Sequence, residues 1–260
     1  KTKFYQHAFD AAGFHPQDLR TLEDMHQLPT INKQAVIDHL SDMCTRSVTS
    51  SDVDYGSTGG TSGTPLHFYI NAGRSTVEYA YLTTSWQRAG YQLGMPMAVL
   101  RGRIVKADRN GLRHEYDPIL RHHYYSNFHM TGENMGCYLD HIRSIGPCML
   151  HAYPSSAYTF AKFVLATGHR SLSNVRGVIL ESENVYPDQV QAIEKAFGNR
   201  PFTCYGHSEK LVLAAQCEYT NDYHVWPTYG YFELLDADGN LIRQAGQEGV
   251  IVGTGFINTI

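Results

Sequence analysis

The sequence predicts a mixed α/β fold: mostly parallel sheets with flanking helices and a β-rich C-terminal part. Three observations predict it. From Phe128 to Cys204, short apolar runs alternate with helix-length segments, the rhythm of parallel strands joined through helices. Before residue 45, apolar residues recur at helical intervals. After Leu211 the texture changes to strands and turns. These shifts divide the chain into a helical lead-in (1–54), an α/β core (55–210) and a β-rich segment (211–260).

In order, Lys1 to Ala12 has Phe4, Ala8 and Ala11 on one helical side. Leu19 to Leu28 reads as a second helix, and Thr30 or Asn32 caps a third through Leu40. Residues 45–56 are polar and turn-rich, and His67 to Ile70 is a strand. Asn71 caps a helix over Ala72 to Ala89, with Val77, Tyr81, Leu82 and Trp86 as its core face. Met97 to Leu100 is a buried strand. Arg101 to Tyr125 carries Arg101, Arg103, Arg121, His122 and His123; it reads as a solvated surface or as a patch for an anionic substrate.

The alternation follows. Phe128 to Met130, Cys148 to Ala152, Val175 to Leu180 and Phe202 to Cys204 are the strands. Helices run from Thr131 to Ser144, from Pro154 to Thr167 and from Pro187 to Phe197, where a first-turn proline loses no helical hydrogen bond. Leu211 to Gln216, Tyr231 to Leu235 and Gly249 to Thr254 are later strands, with a hairpin turn over Asp236 to Asn240.

Composition excludes several classes. The formal net charge of −4 argues against a nucleic-acid partner. No apolar run approaches the ~20 residues of a membrane span. The first residues lack the apolar centre of a secretory signal. Five cysteines without a C-x-x-C pair fit reduced thiols, so a cytoplasmic location is expected. A homodimer is left open.

The most informative stretch is Gly56-Ser57-Thr58-Gly59-Gly60-Thr61-Ser62-Gly63-Thr64-Pro65, with four glycines and five hydroxyls in ten residues. Glycine admits close approach of a ligand, and successive N–H groups with hydroxyls cradle an anion. The run reads as a phosphate-binding loop over Ser57 to Thr64, without the Walker lysine. A flexible linker has similar composition. The second stretch is Tyr205-Gly206-His207-Ser208-Glu209, at the carboxyl end of a buried strand, where open α/β sheets hold ligands. Tyr205 offers a ring to a base, Ser208 a hydroxyl, and Glu209 a carboxylate of the kind that holds Mg²⁺. A generic turn is the plainer alternative. Ser182 and Glu183 follow the preceding strand and bring polar groups to the same rim. Cys217 and His224 are seven residues apart; they read as two ligands of a zinc site, which needs four, or more simply as a buried cysteine and an unrelated surface histidine.

Taken in order, these segments resemble the adenylate-forming superfamily, and within it the phenylacetate–CoA ligase-like branch that includes CapK-like capsular-polysaccharide biosynthesis proteins. The family's Ser/Thr/Gly-rich phosphate loop matches Ser57 to Pro65, with Thr64 where many members carry lysine. Its Tyr-Gly-x-Thr/Ser-Glu motif matches Tyr205 to Glu209, its Ser-Glu pair matches Ser182 and Glu183, and Gly249 to Phe256 is similar to the strand before its Tyr-Arg-Thr-Gly-Asp motif. The resemblance implies the N-terminal core of such an enzyme, with the small C-terminal domain and its lysine absent, as a fragment or a shortened relative. It implies ATP, Mg²⁺ and coenzyme A as cofactors and a small carboxylic acid as substrate. Ser208 would touch the α-phosphate and Glu209 would bind Mg²⁺, both as catalytic residues. Ser57, Thr58, Gly59, Gly60, Thr61, Ser62, Gly63 and Thr64 would hold the β- and γ-phosphates, and Gly206 and His207 would be further cofactor-binding residues. Tyr205, Ser182 and Glu183 would line the adenine. Slow turnover is expected of these 260 residues alone. A non-catalytic nucleotide- or acyl-binding relative, and a transferase acting on a carrier, are the other readings.

Overall fold

The computed structural model describes residues 2–45, 49, 51–58, 63–168 and 172–258. The chain gathers into two units: Lys1–Tyr81 with Gly206–Leu213 and Val225–Ile260, and Leu82–Tyr205 with Ala214–His224.

The first unit begins with α1 (Lys3–Ala12), capped where the Tyr5 amide donates to the Thr2 hydroxyl at 3.4 Å. The helix expected over Leu19–Leu28 is instead a 3₁₀ segment, Leu22–Gln27, preceded by another at Pro16–Asp18. Asp24 explains its brevity: its carboxylate takes the amides of Arg20 (2.9 Å) and Thr21 (2.7 Å), so local side-chain bonds compete with helix continuation. Asn32 caps α2 (Lys33–Met43), accepting the Ala35 amide at 2.9 Å.

Strands β1 (Val53–Ser57) and β2 (His67–Asn71) pair antiparallel, Ser57 facing His67. The polar segment before the glycine run is therefore a strand, because a two-stranded ribbon with one solvated face accepts polar residues. Leu66, Phe68 and Ile70 are buried with Val36 against them. Helix α3 (Arg74–Gln87) follows.

The second unit holds a sheet whose centre is written in apolar runs. It contains β3 (Met97–Leu100), β4 (His114–Asp117), β5 (His122–Tyr125), β6 (Cys148–Ala152), β7 (Val175–Glu181), β8 (Pro201–Gly206), β9 (Leu213–Ala215) and β10 (His224–Val225), in the order β10-β9-β8-β7-β6-β3-β5-β4. Strands β5, β3, β6, β7 and β8 are parallel, and β4 runs antiparallel on the edge. Every residue of β3 and β6 is buried, as both faces of a parallel sheet are covered. The strand expected at Phe128–Met130 is not formed; strand structure lies earlier, at β5, and Phe128 is exposed on a turn.

Helices α4 (Gly132–Ile145), α5 (Pro154–Ala166) and α6 (Pro187–Phe197) cover this sheet. Their buried residues recur at i, i+3, i+4 and i+7: Met135, Tyr138, Leu139 and Ile142 on α4; Ala157, Phe160, Ala161 and Val164 on α5. Gly198 ends α6 in the left-handed region at φ 74°, which glycine adopts without a Cβ clash. Thr131 caps α4 by accepting the Asn134 amide at 3.2 Å. Thr131→Ala is expected to cost about 1 kcal/mol, read as a lower urea midpoint at unchanged slope.

The chain ends in a hairpin of β11 (Gly230–Leu235) and β12 (Val250–Gly255), in the first unit. The Asp236–Asn240 turn forms as expected, the Asp236 amide donating to the Asn240 carbonyl at 2.9 Å. No helix of the described residues is long and apolar enough to cross a membrane.

Candidate functional site

In the second unit the chain runs from β3 to β5 on one side and returns to β6 on the other. The carboxyl ends at such a reversal are where open sheets hold ligands. Arg101 follows β3, His151 lies in β6, and Glu181 closes β7. One Glu181 oxygen accepts from Arg101 Nη1 at 2.8 Å and lies 3.1 Å from His151 Nε2. The other accepts from Trp86 Nε1 at 3.1 Å. Glu181 is only 8% exposed. Burial alone would push its carboxyl up; the charge and hydrogen bond of His151, with Arg101 and Trp86, outweigh it and hold the group down at about 2. A histidine inside an otherwise apolar strand, an arginine just after another and a glutamate ending a third are the sequence signals for this network.

Ser182 and Glu183 sit at this rim. Ser182 takes a left-handed backbone, φ 72°, and its hydroxyl accepts from Arg101 Nη2 at 2.8 Å. Glu183 turns to the start of α5, accepting the Ser155 amide (2.9 Å) and hydroxyl (3.0 Å), where a carboxylate also meets the positive end of the helix. Tyr205 lies at the end of β8, its ring 6.4 Å from that of Tyr223 at a steep angle.

The other sequence-predicted residues belong to the first unit. The glycine run connects β1 to β2, so it is a hairpin loop. Its stem is closed at Thr58: the Thr58 amide donates to the Leu66 carbonyl at 2.9 Å, and the Leu66 amide to the Thr58 hydroxyl at 3.0 Å. Gly63 has φ 120°, with nothing within 4 Å of where a Cβ would stand. Lys33, at the start of α2, donates from Nζ to the Thr64 carbonyl at 2.5 Å. Gly59, Gly60, Thr61 and Ser62 lie outside the described residues.

Residues Gly206 to Glu209 form a corner closed when the Lys210 amide donates to the His207 carbonyl at 3.1 Å. Lys210 is left-handed (φ 64°), and its ammonium pairs with Glu78 of α3 at 2.7 Å, where Tyr229 also donates at 3.4 Å. Burial pushes the His207 imidazole down while the Glu209 charge opposes it. Ser208 is exposed and Glu209 half-buried.

Cys217 and His224 do meet, Nε2 to Sγ 3.2 Å. The Tyr219 amide on the sulfur, with the Thr220 and His224 bonds, lowers the thiol to about 7. Among the described residues no third His, Cys, Asp or Glu joins the pair as a metal group. The Arg101–Tyr125 segment is largely the solvated surface expected of it: all of residues 102–121 except Val105 are exposed or half-buried. Within it Arg101 is committed to Glu181, Arg103 pairs with Glu115, and His114–Asp117 and His122–Tyr125 pair as β4 and β5.

The chain is similar over 241 residues to Protein CapK of Staphylococcus aureus, at 22% identity, covering 92% of this chain and 51% of CapK. Among solved structures it matches 2-hydroxyisobutyryl-CoA ligase, an open conformation in complex with 2-HIB-AMP and CoA, with TM-score 0.72 and 20% identity over 99% of this chain and 57% of that one. It matches a long-chain-fatty-acid-CoA ligase (FadD1) from Archaeoglobus fulgidus with TM-score 0.56 and 13% identity, over 77% of this chain and 41% of that one. No protein-family model matches the chain. The chain spans about half the length of these relatives. Parallel strands and covering helices agree with the expectation drawn from the residues: the chain has the α/β core fold of these acid–CoA ligases.

Proposed function

We propose that the chain activates a small carboxylic acid with ATP, giving an acyl-adenylate and pyrophosphate, and passes the acyl group to the thiol of coenzyme A. The observation that carries this reading is the corner after β8. Neither the Ser208 hydroxyl nor the Glu209 carboxylate has a hydrogen-bond or ion-pair partner among the described residues. The Lys210–Glu78 pair nonetheless holds the backbone beneath them. A half-buried carboxylate with no hydrogen-bond or ion-pair partner among the described residues fits a hard cation, so Glu209 is the residue that would hold Mg²⁺. Ser208 would meet the α-phosphate.

The glycine hairpin would hold the outer phosphates. Lys33 supports this role, because it brings an ammonium to the loop at Thr64, where the lysine of the resembling motif is missing. Ser182 and Tyr205 would border the adenine; Glu183, committed to Ser155, would act by fixing the strand end. The chemistry asks for positioning and charge neutralisation, since a carboxylate becomes electrophilic only once its oxygen is a good leaving group. The complex of 2-hydroxyisobutyryl-CoA ligase with 2-HIB-AMP and CoA supports this two-step reading. A place in capsular polysaccharide biosynthesis is its narrower form, resting on the likeness to CapK.

The test is equilibrium binding of Mg²⁺·ATP to the purified chain, followed by ATP–pyrophosphate exchange with a panel of acids. Glu209→Gln is expected to weaken nucleotide binding and lower exchange by about 100-fold, with the thermal midpoint of the free protein unchanged. Wild-type binding and exchange in that variant would overturn the reading. Binding without exchange would favour the non-catalytic relative, and exchange with transfer only to a carrier would favour the carrier transferase.

A further inference from the structure

Three imidazoles from three different elements converge on the edge of the second unit's sheet. His114 lies on β4, His123 on β5 and His141 on α4. The topology explains the meeting. His114 faces Tyr125 across the antiparallel pair, so His123, two residues from Tyr125, stands diagonally across the same face. Helix α4 meets that face at Tyr125, whose hydroxyl lies 2.7 Å from His141 Nδ1. One ligand nitrogen from each of the three histidines lies within 4.8 Å of the other two. His114 Nε2 and His123 Nδ1 are already 3.0 Å apart, and the His114 and His141 ring centres 4.2 Å apart.

Nitrogens bound at ~2.0–2.1 Å to a tetrahedral ion stand roughly 3.3 Å from one another. The His114–His123 pair has that spacing, and His141 needs only side-chain adjustment to join it. The Tyr125 hydroxyl holds the His141 ring by Nδ1, the kind of outer contact that orients a ligating imidazole and leaves Nε2 as its remaining ligand atom. All three residues are half-buried, so solvent reaches the cluster. Burial pushes all three imidazoles down, and repulsion from neighbouring histidines adds to the shift at His114 and His123, which sit at about 4. The Asp108 carboxylate, fixed by the Asn110 and Leu112 amides, opposes that shift at His114 and His141 and supplies a nearby negative charge.

We infer that His114, His123 and His141 form a binding site for a divalent first-row transition ion, Zn²⁺ foremost, with an open fourth position. Imidazole nitrogens suit such ions and not Mg²⁺, so this site is chemically separate from Glu209. A bound ion would tie the β4–β5 edge to α4.

The test is to strip the purified chain with chelator and titrate it with Co²⁺, then displace with Zn²⁺. One equivalent of Co²⁺ with visible d–d absorption is expected, and Zn²⁺ should raise the thermal midpoint. His123→Ala and His141→Ala should each abolish the absorption and the Zn²⁺-dependent rise. The affinity should fall by more than the roughly 10–100-fold that follows loss of a residue behind a ligand. Their metal-free midpoints report whether they fold. Cys217→Ala should retain both signals. No absorption and no midpoint change in the wild-type chain overturns the site. So does undiminished Co²⁺ uptake by the folded histidine variants, or loss of uptake in Cys217→Ala.

Discussion

Glu181→Ala is expected to destabilise the second unit by about 3–5 kcal/mol. The carboxylate is buried and receives Arg101, His151 and Trp86. Removing it leaves the guanidinium of Arg101 without its counter-charge and the indole N–H without an acceptor, and both groups then carry a desolvation cost. The pH dependence has a definite sign. The folded carboxyl sits at about 2, below the ordinary 4.5, so the unfolded chain binds the proton more readily. The network's contribution is therefore present above about pH 4.5 and is lost as pH falls toward 2, about 3 kcal/mol in all. Urea unfolding of wild type and Glu181→Ala across that range should show the acid decline flattened in the variant. Parallel declines would mean that Glu181 is not the group that titrates.

Gly177→Ala is expected to be at least as damaging. A Cβ there would stand 2.3 Å from the Ala89 carbonyl oxygen and 2.6 Å from Met149 Cε. The methionine can swing aside, but a backbone carbonyl cannot move without taking its chain along. Glycine in a strand interior often marks such an approach. A loss of 3 kcal/mol or more, at or above the upper end of the roughly 1–3 kcal/mol seen for overpacked cores, is the expected result, measured as the urea midpoint or as absence of soluble protein. Gly136→Ala on α4 is the control, with open space at its Cβ position. It should be neutral or stabilising by about 0.5–1 kcal/mol.

These residues also show what was legible in the sequence. The interior strands Met97–Leu100 and Cys148–Ala152 are apolar runs, broken only by His151, that no surface segment would carry. Helices α4 to α6 are legible from their stripes and caps. Strands β4 and β5 are hidden, because His114-Glu115-Tyr116-Asp117 and His122-His123-Tyr124-Tyr125 have no clean apolar alternation, and pairing with each other makes them strands. The segments Tyr205–Glu209 and Ser182–Glu183 can be placed at strand ends from sequence alone. Their partners cannot: Glu78 is 132 residues from Lys210, and Arg101 is 80 from Glu181. Such contacts are set by topology. The triad of His114, His123 and His141 is invisible for the same reason, each histidine alone being indistinguishable from a packed ring.

Ser182 answers to two masters. Its left-handed backbone would be most comfortable with glycine, while the Arg101 guanidinium wants a hydroxyl oxygen. Strain of about 1–3 kcal/mol stands against a charged hydrogen bond of similar size. Neither glycine nor alanine serves both needs, valine and isoleucine serve neither, and threonine keeps the oxygen but resists the left-handed turn. Evolutionary drift at this position should therefore be narrow, confined to small residues such as asparagine and aspartate that tolerate the turn and still offer an oxygen to the arginine.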